Sequence, residues 1–217
     1  MRTKQSLFAE DERRDIAACG RSLACSSPAA RSAEGAHEPT PTPYFVLDEL
    51  FSHLAFDEGS QLLDVGCGTG RVLAYFASRG FSGAAVGVEL DGDLVTRASS
   101  WIGRFPRLSV RCANVLDEPL GAYTHIYLFN PFDTPVLARF LDKIEEEIAH
   151  PVTVIHMSDN GERYAYAGRP GWSIERQGSF QWFEGVQVFG YPQTYTIWSY
   201  SGRAVLSALD NDKKILD

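Results

Sequence analysis

The sequence predicts an α/β three-layer sandwich: a mostly parallel sheet, helices on both faces, and an antiparallel hairpin closing one edge. Three observations predict it. Apolar runs of strand length alternate with helix-period stretches between residues 62 and 157, an order that gives parallel strands joined by crossover helices. The first of these runs, Leu62-Leu63-Asp64-Val65, stops at glycines in alternate positions, Gly66, Gly68 and Gly70, just before a helix pattern beginning Arg71-Val72-Leu73. The stretch from Gly178 to Ser201 is rich in aromatics. It reads as a hairpin in which Trp182–Phe189 and Thr194–Tyr200 flank Gly190-Tyr191-Pro192-Gln193.

Taken in order, residues 1–38 show little hydrophobic periodicity. They read as a disordered extension with one short helix near Leu7–Ala18. No continuous apolar stretch marks a secretory signal there, and the early acids Glu10, Asp11 and Glu12 argue against a transit peptide. The domain is expected over residues 39–202. Its entry, Pro39-Thr40-Pro41-Thr42-Pro43, is held extended by alternate prolines. A helix then carries Val46, Leu47, Leu50, Phe51 and Leu54 on one face. After the glycines, Val72, Leu73 and Phe76 make the stripe of a second helix, ending at Arg79-Gly80.

The second strand, Ala84–Val88, ends in Glu89. Asp91 caps a helix with Leu94, Val95, Ala98, Trp101 and Ile102, and Leu108–Ala113 alternates as a third strand. His125–Phe129 is a fourth, running into Asn130-Pro131-Phe132-Asp133. A helix then buries Val136, Leu137, Phe140, Leu141, Ile144 and Ile148 and turns Glu145-Glu146-Glu147 to solvent. Val152–Met157 is the fifth strand, and residues 203–217 read as a frayed tail.

Composition narrows the classes. The 217 residues fit one domain with a full core, and 44% hydrophobic and 12% aromatic content exclude a disordered chain. No apolar run approaches the ~20 residues of a membrane span. The net charge is −8. Residues 1–38 hold six basic and six acidic residues, so the remaining 14 basic and 22 acidic residues carry the excess. That balance disfavours a nucleic-acid partner, which wants a basic face. Cys19, Cys25, Cys67 and Cys112 show no C-x-x-C spacing, which points to neither zinc nor a disulfide framework and suits a reducing, cytoplasmic location.

The glycine loop implies a ligand. A helix starting directly after it offers free N–H groups and a positive dipole end. A dinucleotide fold needs G-x-G-x-x-G, whereas the spacing here is G-x-G-x-G, with Arg71 where the third glycine of that motif would fall. Asp64 sits two residues before Gly66, and Glu89 ends the next strand. This pattern resembles the class I S-adenosylmethionine-dependent methyltransferases, whose first motif is D/E-x-G-x-G-x-G. Asp64, Gly66, Gly68 and Gly70 match it, and Glu89 matches the acid that holds the ribose hydroxyls.

The resemblance implies a seven-stranded sheet with an antiparallel C-terminal hairpin and S-adenosylmethionine as cofactor. It also places Cys67 and Leu90 against the cofactor, Asn114 and Val115 at the adenine, and Thr42 and Tyr44 at the methionine end. In the family, the end of the fourth strand faces the transferred methyl. Enzymes acting on amino nitrogen often carry (Asp/Asn)-Pro-Pro-(Tyr/Phe) there. Asn130-Pro131-Phe132 is similar to that motif, shortened by one proline. Asn130 is therefore expected to touch both cofactor and acceptor, with Phe132 stacking on the acceptor.

His156, at the carboxyl end of the fifth strand, is a candidate general base because an unperturbed imidazole titrates near neutrality. No spacing suggests a metal site. The expected activity is methyl transfer to an amino nitrogen of a protein lysine or small amine, the acidic charge balance suiting a cationic acceptor. An oxygen acceptor on a small molecule and a non-transferring S-adenosylmethionine-binding protein are the alternatives.

Overall fold

A computed structural model describes residues 2–24, 37 and 40–205. Its centre is a seven-stranded sheet in the order β3-β2-β1-β4-β5-β9-β6. The strands are β1 (Gln61–Val65), β2 (Ala84–Glu89), β3 (Leu108–Cys112), β4 (His125–Phe129), β5 (Val152–Met157), β6 (Trp172–Phe180) and β9 (Gln193–Tyr200). The first five pair in parallel, and β9 runs antiparallel between β5 and β6. The order reverses at β1 and β4, where an open α/β sheet leaves a crevice beyond the strands' carboxyl ends.

Alternate residues of each strand bury on opposite faces. Leu62, Ala85, Tyr127 and Ile155 pack with α2 (Tyr44–Phe51), α3 (Arg71–Ser78) and α4 (Gly92–Ile102). Leu63, Val86, Ile126 and Val154 pack with α5 (Thr134–Glu147). Two helical layers around one sheet follow from that period of two. No helix of the described residues is long and apolar enough to cross a membrane.

The fold differs from the sequence expectation at both ends. Thr194–Tyr200 lies within β9 as expected, but its hairpin partner is Trp172–Phe180, not Trp182–Phe189. Glu184 and Gly185 both have positive φ (47° and 80°), so Trp182-Phe183 folds back on Val186-Gln187 as a separate two-stranded ribbon, β7 (Trp182–Phe183) with β8 (Val186–Gln187). Gly178 is what lets β6 lie flat on β9: a Cβ there would meet the Tyr195 ring at 2.7–2.8 Å. A bulge interrupts the register between Ile174 and Arg176.

At the other end the extension is not a loose segment over residues 4–24. The helix expected near Leu7–Ala18 is α1, Lys4–Cys19, opened by a Thr3/Ser6 capping box. Its inward face is Leu7, Asp11, Asp15 and Cys19, so acids as well as apolar side chains dock it. The buried Asp15 carboxylate accepts from Arg71 Nε (3.0 Å) and Nη2 (2.7 Å) and from the Leu23 N–H (2.9 Å). Asp11 accepts from the Tyr44 N–H at 3.0 Å. Arg14 grips Asp48 with both Nη atoms and lies over the Tyr44 ring. Disorder over residues 25–36 and the tail beyond residue 205 lie outside the described residues, as does Cys25.

Candidate active site

One cleft opens at the carboxyl ends of β1, β2, β3 and β4, lined by the glycine loop, Glu89, the turn after β3, and the Asn130–Phe132 turn. His37 and Thr40–Thr42 cover part of it. β1 delivers Asp64 to its floor, and the chain then turns through Gly66, Gly68 and Gly70, all at positive φ, before α3 starts. Gly66 meets two demands at once. Its φ is +70°, and a Cβ would stand 3.0 Å from the Pro131 Cβ, so the loop and the turn after β4 touch there. Gly66→Ala should therefore displace that turn, lowering stability by about 1–2 kcal/mol in urea melts and weakening S-adenosylhomocysteine binding about tenfold by calorimetry.

Glu89 ends β2 with its carboxylate turned back to the loop. Oε2 accepts from the Gly68 N–H at 2.9 Å, and Oε1 accepts from the Asp91 N–H at 3.0 Å. The acid thus holds the loop open and keeps free lone pairs on both oxygens. Asp64 is buried, with no hydrogen-bond partner for Oδ2. Burial, and then the charge of Glu89, push its carboxyl up to about 8. Burial likewise raises the Cys67 thiol well above its usual value, which leaves it a neutral, packing side chain.

Asn114 opens a 3₁₀ turn, Val115–Asp117, its side-chain oxygen accepting from the Leu116 N–H at 3.0 Å. Thr42 and Tyr127 share a buried hydroxyl hydrogen bond of 2.8 Å at the cleft wall. The Asn130 backbone is left-handed (φ 41°), and its Oδ1 is buried without a partner.

Of the residues singled out in the sequence, Thr42, Asp64, Gly66, Cys67, Gly68, Glu89, Leu90, Asn114, Val115, Asn130 and Phe132 line this cleft, and Gly70, Tyr44 and His156 do not. Gly70 sits beneath the Trp101 ring. Tyr44 turns into the core beside Tyr75. His156 faces the α5 layer, buried, with Nδ1 3.1 Å from the Tyr166 hydroxyl and Nε2 3.4 Å from Glu162. That placement leaves the base reading without a path to the cleft. Phe132 lines the wall with one side and packs edge-on against Phe140 with the other, so it is a fixed wall rather than a free stacking ring. The lining residues to which the sequence reading gave no place in the site include His37, Arg71, Tyr127 and Arg139. Arg71 had a signal in the acids of α1, which recur every fourth residue and face it.

Residues 62–148 match the family model described as "Methyltransferase domain". No curated protein matches the chain. Among solved structures, an RNA methyltransferase from Salinibacter ruber, in complex with S-adenosyl-L-homocysteine, is 22% identical with a TM-score of 0.53, covering 75% of this chain and 93% of that one. TrmK of M. capricolum, in complex with S-adenosyl-homocysteine, is 11% identical with a TM-score of 0.54, covering 73% and 68%. The StiE O-MT is 10% identical with a TM-score of 0.57, covering 80% of each chain. These likenesses establish the class I methyltransferase fold. The domain match takes in the glycine loop, Glu89 and the turn after β4. The cleft would fit S-adenosylmethionine: Asp64 Oδ2 is buried without a partner, and the glycines leave the loop backbone open.

Proposed function

We propose that the acceptor is an amino nitrogen, of a lysine side chain or a small amine. The observation that carries this is Asn130 Oδ1, a buried acceptor with no partner, in a left-handed residue on the cleft wall. A buried polar atom left unpaired costs about 1–3 kcal/mol, so its natural complement is a donor brought by a ligand. An amine N–H is such a donor, and accepting from it turns the nitrogen lone pair inward. Bound S-adenosylmethionine supplies an electrophilic methyl on its sulfonium. Asp64 would hold the ammonium end of this cofactor, Glu89 its ribose hydroxyls, and Asn114 with Val115 its adenine. The protein's part is to orient and desolvate the reactants, and the Phe132 wall and the Thr42–Tyr127 pair exclude water beside the reacting atoms. The acidic excess of the domain favours a cationic acceptor over an anionic one.

A second reading is favoured by the RNA methyltransferases among the similar folds: the exocyclic amine of a nucleobase would meet Asn130 through the same hydrogen bond. The test screens lysine peptides, small amines, short RNAs and phenols for S-adenosylhomocysteine formation, with wild type beside Asn130→Ala. Amine turnover that falls about 100-fold in the variant, with S-adenosylhomocysteine affinity kept, is the expected result. Turnover of phenols alone, indifferent to Asn130→Ala, would sink the amine reading.

A further inference from the structure

We infer that His37 is a positioning residue for the acceptor site: it holds the Asn130–Pro131 turn in the conformation that sets the Asn130 side chain at the cleft wall. The inference rests on the reading of Asn130 given above.

Two hydrogen bonds carry it across 93 residues of sequence. The His37 backbone N–H donates to the Pro131 carbonyl at 3.0 Å, and ring Nδ1 lies 2.8 Å from the Asn130 carbonyl oxygen. A carbonyl oxygen only accepts, so Nδ1 carries the proton and donates. Both carbonyls of the turn are therefore held by one residue, which itself lines the cleft.

The turn needs holding. Asn130 is one of three non-glycine residues with positive φ among those described, and left-handed backbone costs energy even where asparagine tolerates it. Asparagine in a turn often fixes itself by bonding its own side-chain oxygen to a nearby backbone N–H. Here Oδ1 makes no such bond. α5 starts only at Thr134, its cap Asp133 bonding forward to the Val136 N–H, so the helix does not reach back to the turn. Gly66 presses Pro131 from the loop side. His37 is the polar hold on the other.

The probe is sinefungin, an analogue that bears an amine-carrying carbon where S-adenosylmethionine has its methyl-bearing sulfur, titrated calorimetrically against S-adenosylhomocysteine on the full chain. Wild type should prefer sinefungin by about tenfold, the worth of one hydrogen bond from its amine to Oδ1. Asn130→Ala should abolish that preference. His37→Ala should cut it about fivefold while S-adenosylhomocysteine affinity stays within about twofold, and His37→Asn, whose amide nitrogen can stand where Nδ1 stood, should restore it. Full preference kept in His37→Ala but lost in Asn130→Ala overturns the inference and leaves the amine reading standing. Equal loss of both ligands in His37→Ala, unrelieved by His37→Asn, also overturns it, because it marks a merely structural contact. Preference kept in Asn130→Ala brings down the amine reading itself, and the inference with it.

Discussion

Asp64→Asn should make the ligand-free protein more stable at pH 7.5 and weaken its hold on S-adenosylhomocysteine about 100-fold, the scale expected when one member of a buried charge pair is removed. The first half follows from linkage. The folded carboxyl titrates at about 8 because it is buried beside Glu89, whereas an unfolded aspartate titrates near ~3.9. Between those values the folded chain holds a proton that the unfolded chain has released, so stability falls as pH rises through the window. Below it both states are protonated and the residue contributes no slope. Asparagine cannot titrate, so the variant should lose that decline, a gain of up to about 5 kcal/mol at pH 7.5 by urea melts.

The second half follows from the orphaned Oδ2, which a cationic ligand end would complete. Ligand binding to wild type should then release a proton below pH 8, seen as a buffer-dependent heat. A variant with the same pH slope and the same affinity as wild type would show that Asp64 anchors nothing. A gain in stability with a loss in binding is the usual signature of a site held ready at a cost to the fold.

The second large effect lies outside the cleft. Asp15→Ala should destabilise the chain by about 3 kcal/mol, because it removes two charge-assisted bonds to one carboxylate and leaves the buried guanidinium only Asp11, at 3.7 Å, as a charged partner. Asp15→Ala combined with Arg71→Met should recover much of that loss, since the burial of the charge, more than the absence of the pair, is what hurts. A urea midpoint for Asp15→Ala within about 1 kcal/mol of wild type would mean that α1 is only resting on the domain. Arg71 is the first residue of α3 and lines the cleft, so this pair fixes the extension directly to the cofactor loop.

The legible part of the sequence was the part whose burial is apolar. Leu62–Val65, Ala84–Val88, His125–Phe129 and Val152–Met157 are nearly continuous apolar runs because parallel strands bury both faces, and all four are strands. Trp172–Phe180 escaped because an edge strand carrying Ser173, Glu175, Arg176 and Gln177 looks like a loop. The helix α1 was expected near Leu7–Ala18, but its docking escaped for a related reason: its inward face is half carboxylate, a pattern that hydrophobic periodicity reads as solvent. In the site, the glycines, Asp64, Glu89 and Asn130 were visible as motif residues. His37 was not, because its role depends on a contact 93 positions away that no local spacing encodes.

The bulge in β6 has a bearing on how copies of this chain behave towards one another. An outermost strand offers a row of unpaired backbone groups on which a second sheet can dock, the route to fibrous aggregates. Here the extra residue at the bulge is Glu175, exposed, with Ser173 and Gln177 also facing water and Arg176 drawn to Glu49 at 2.7 Å. A kinked, charged margin cannot be extended in register by a neighbour. The strand that completes the sheet on this side thus also ends it there, and leaves a crowded solution no template along that edge.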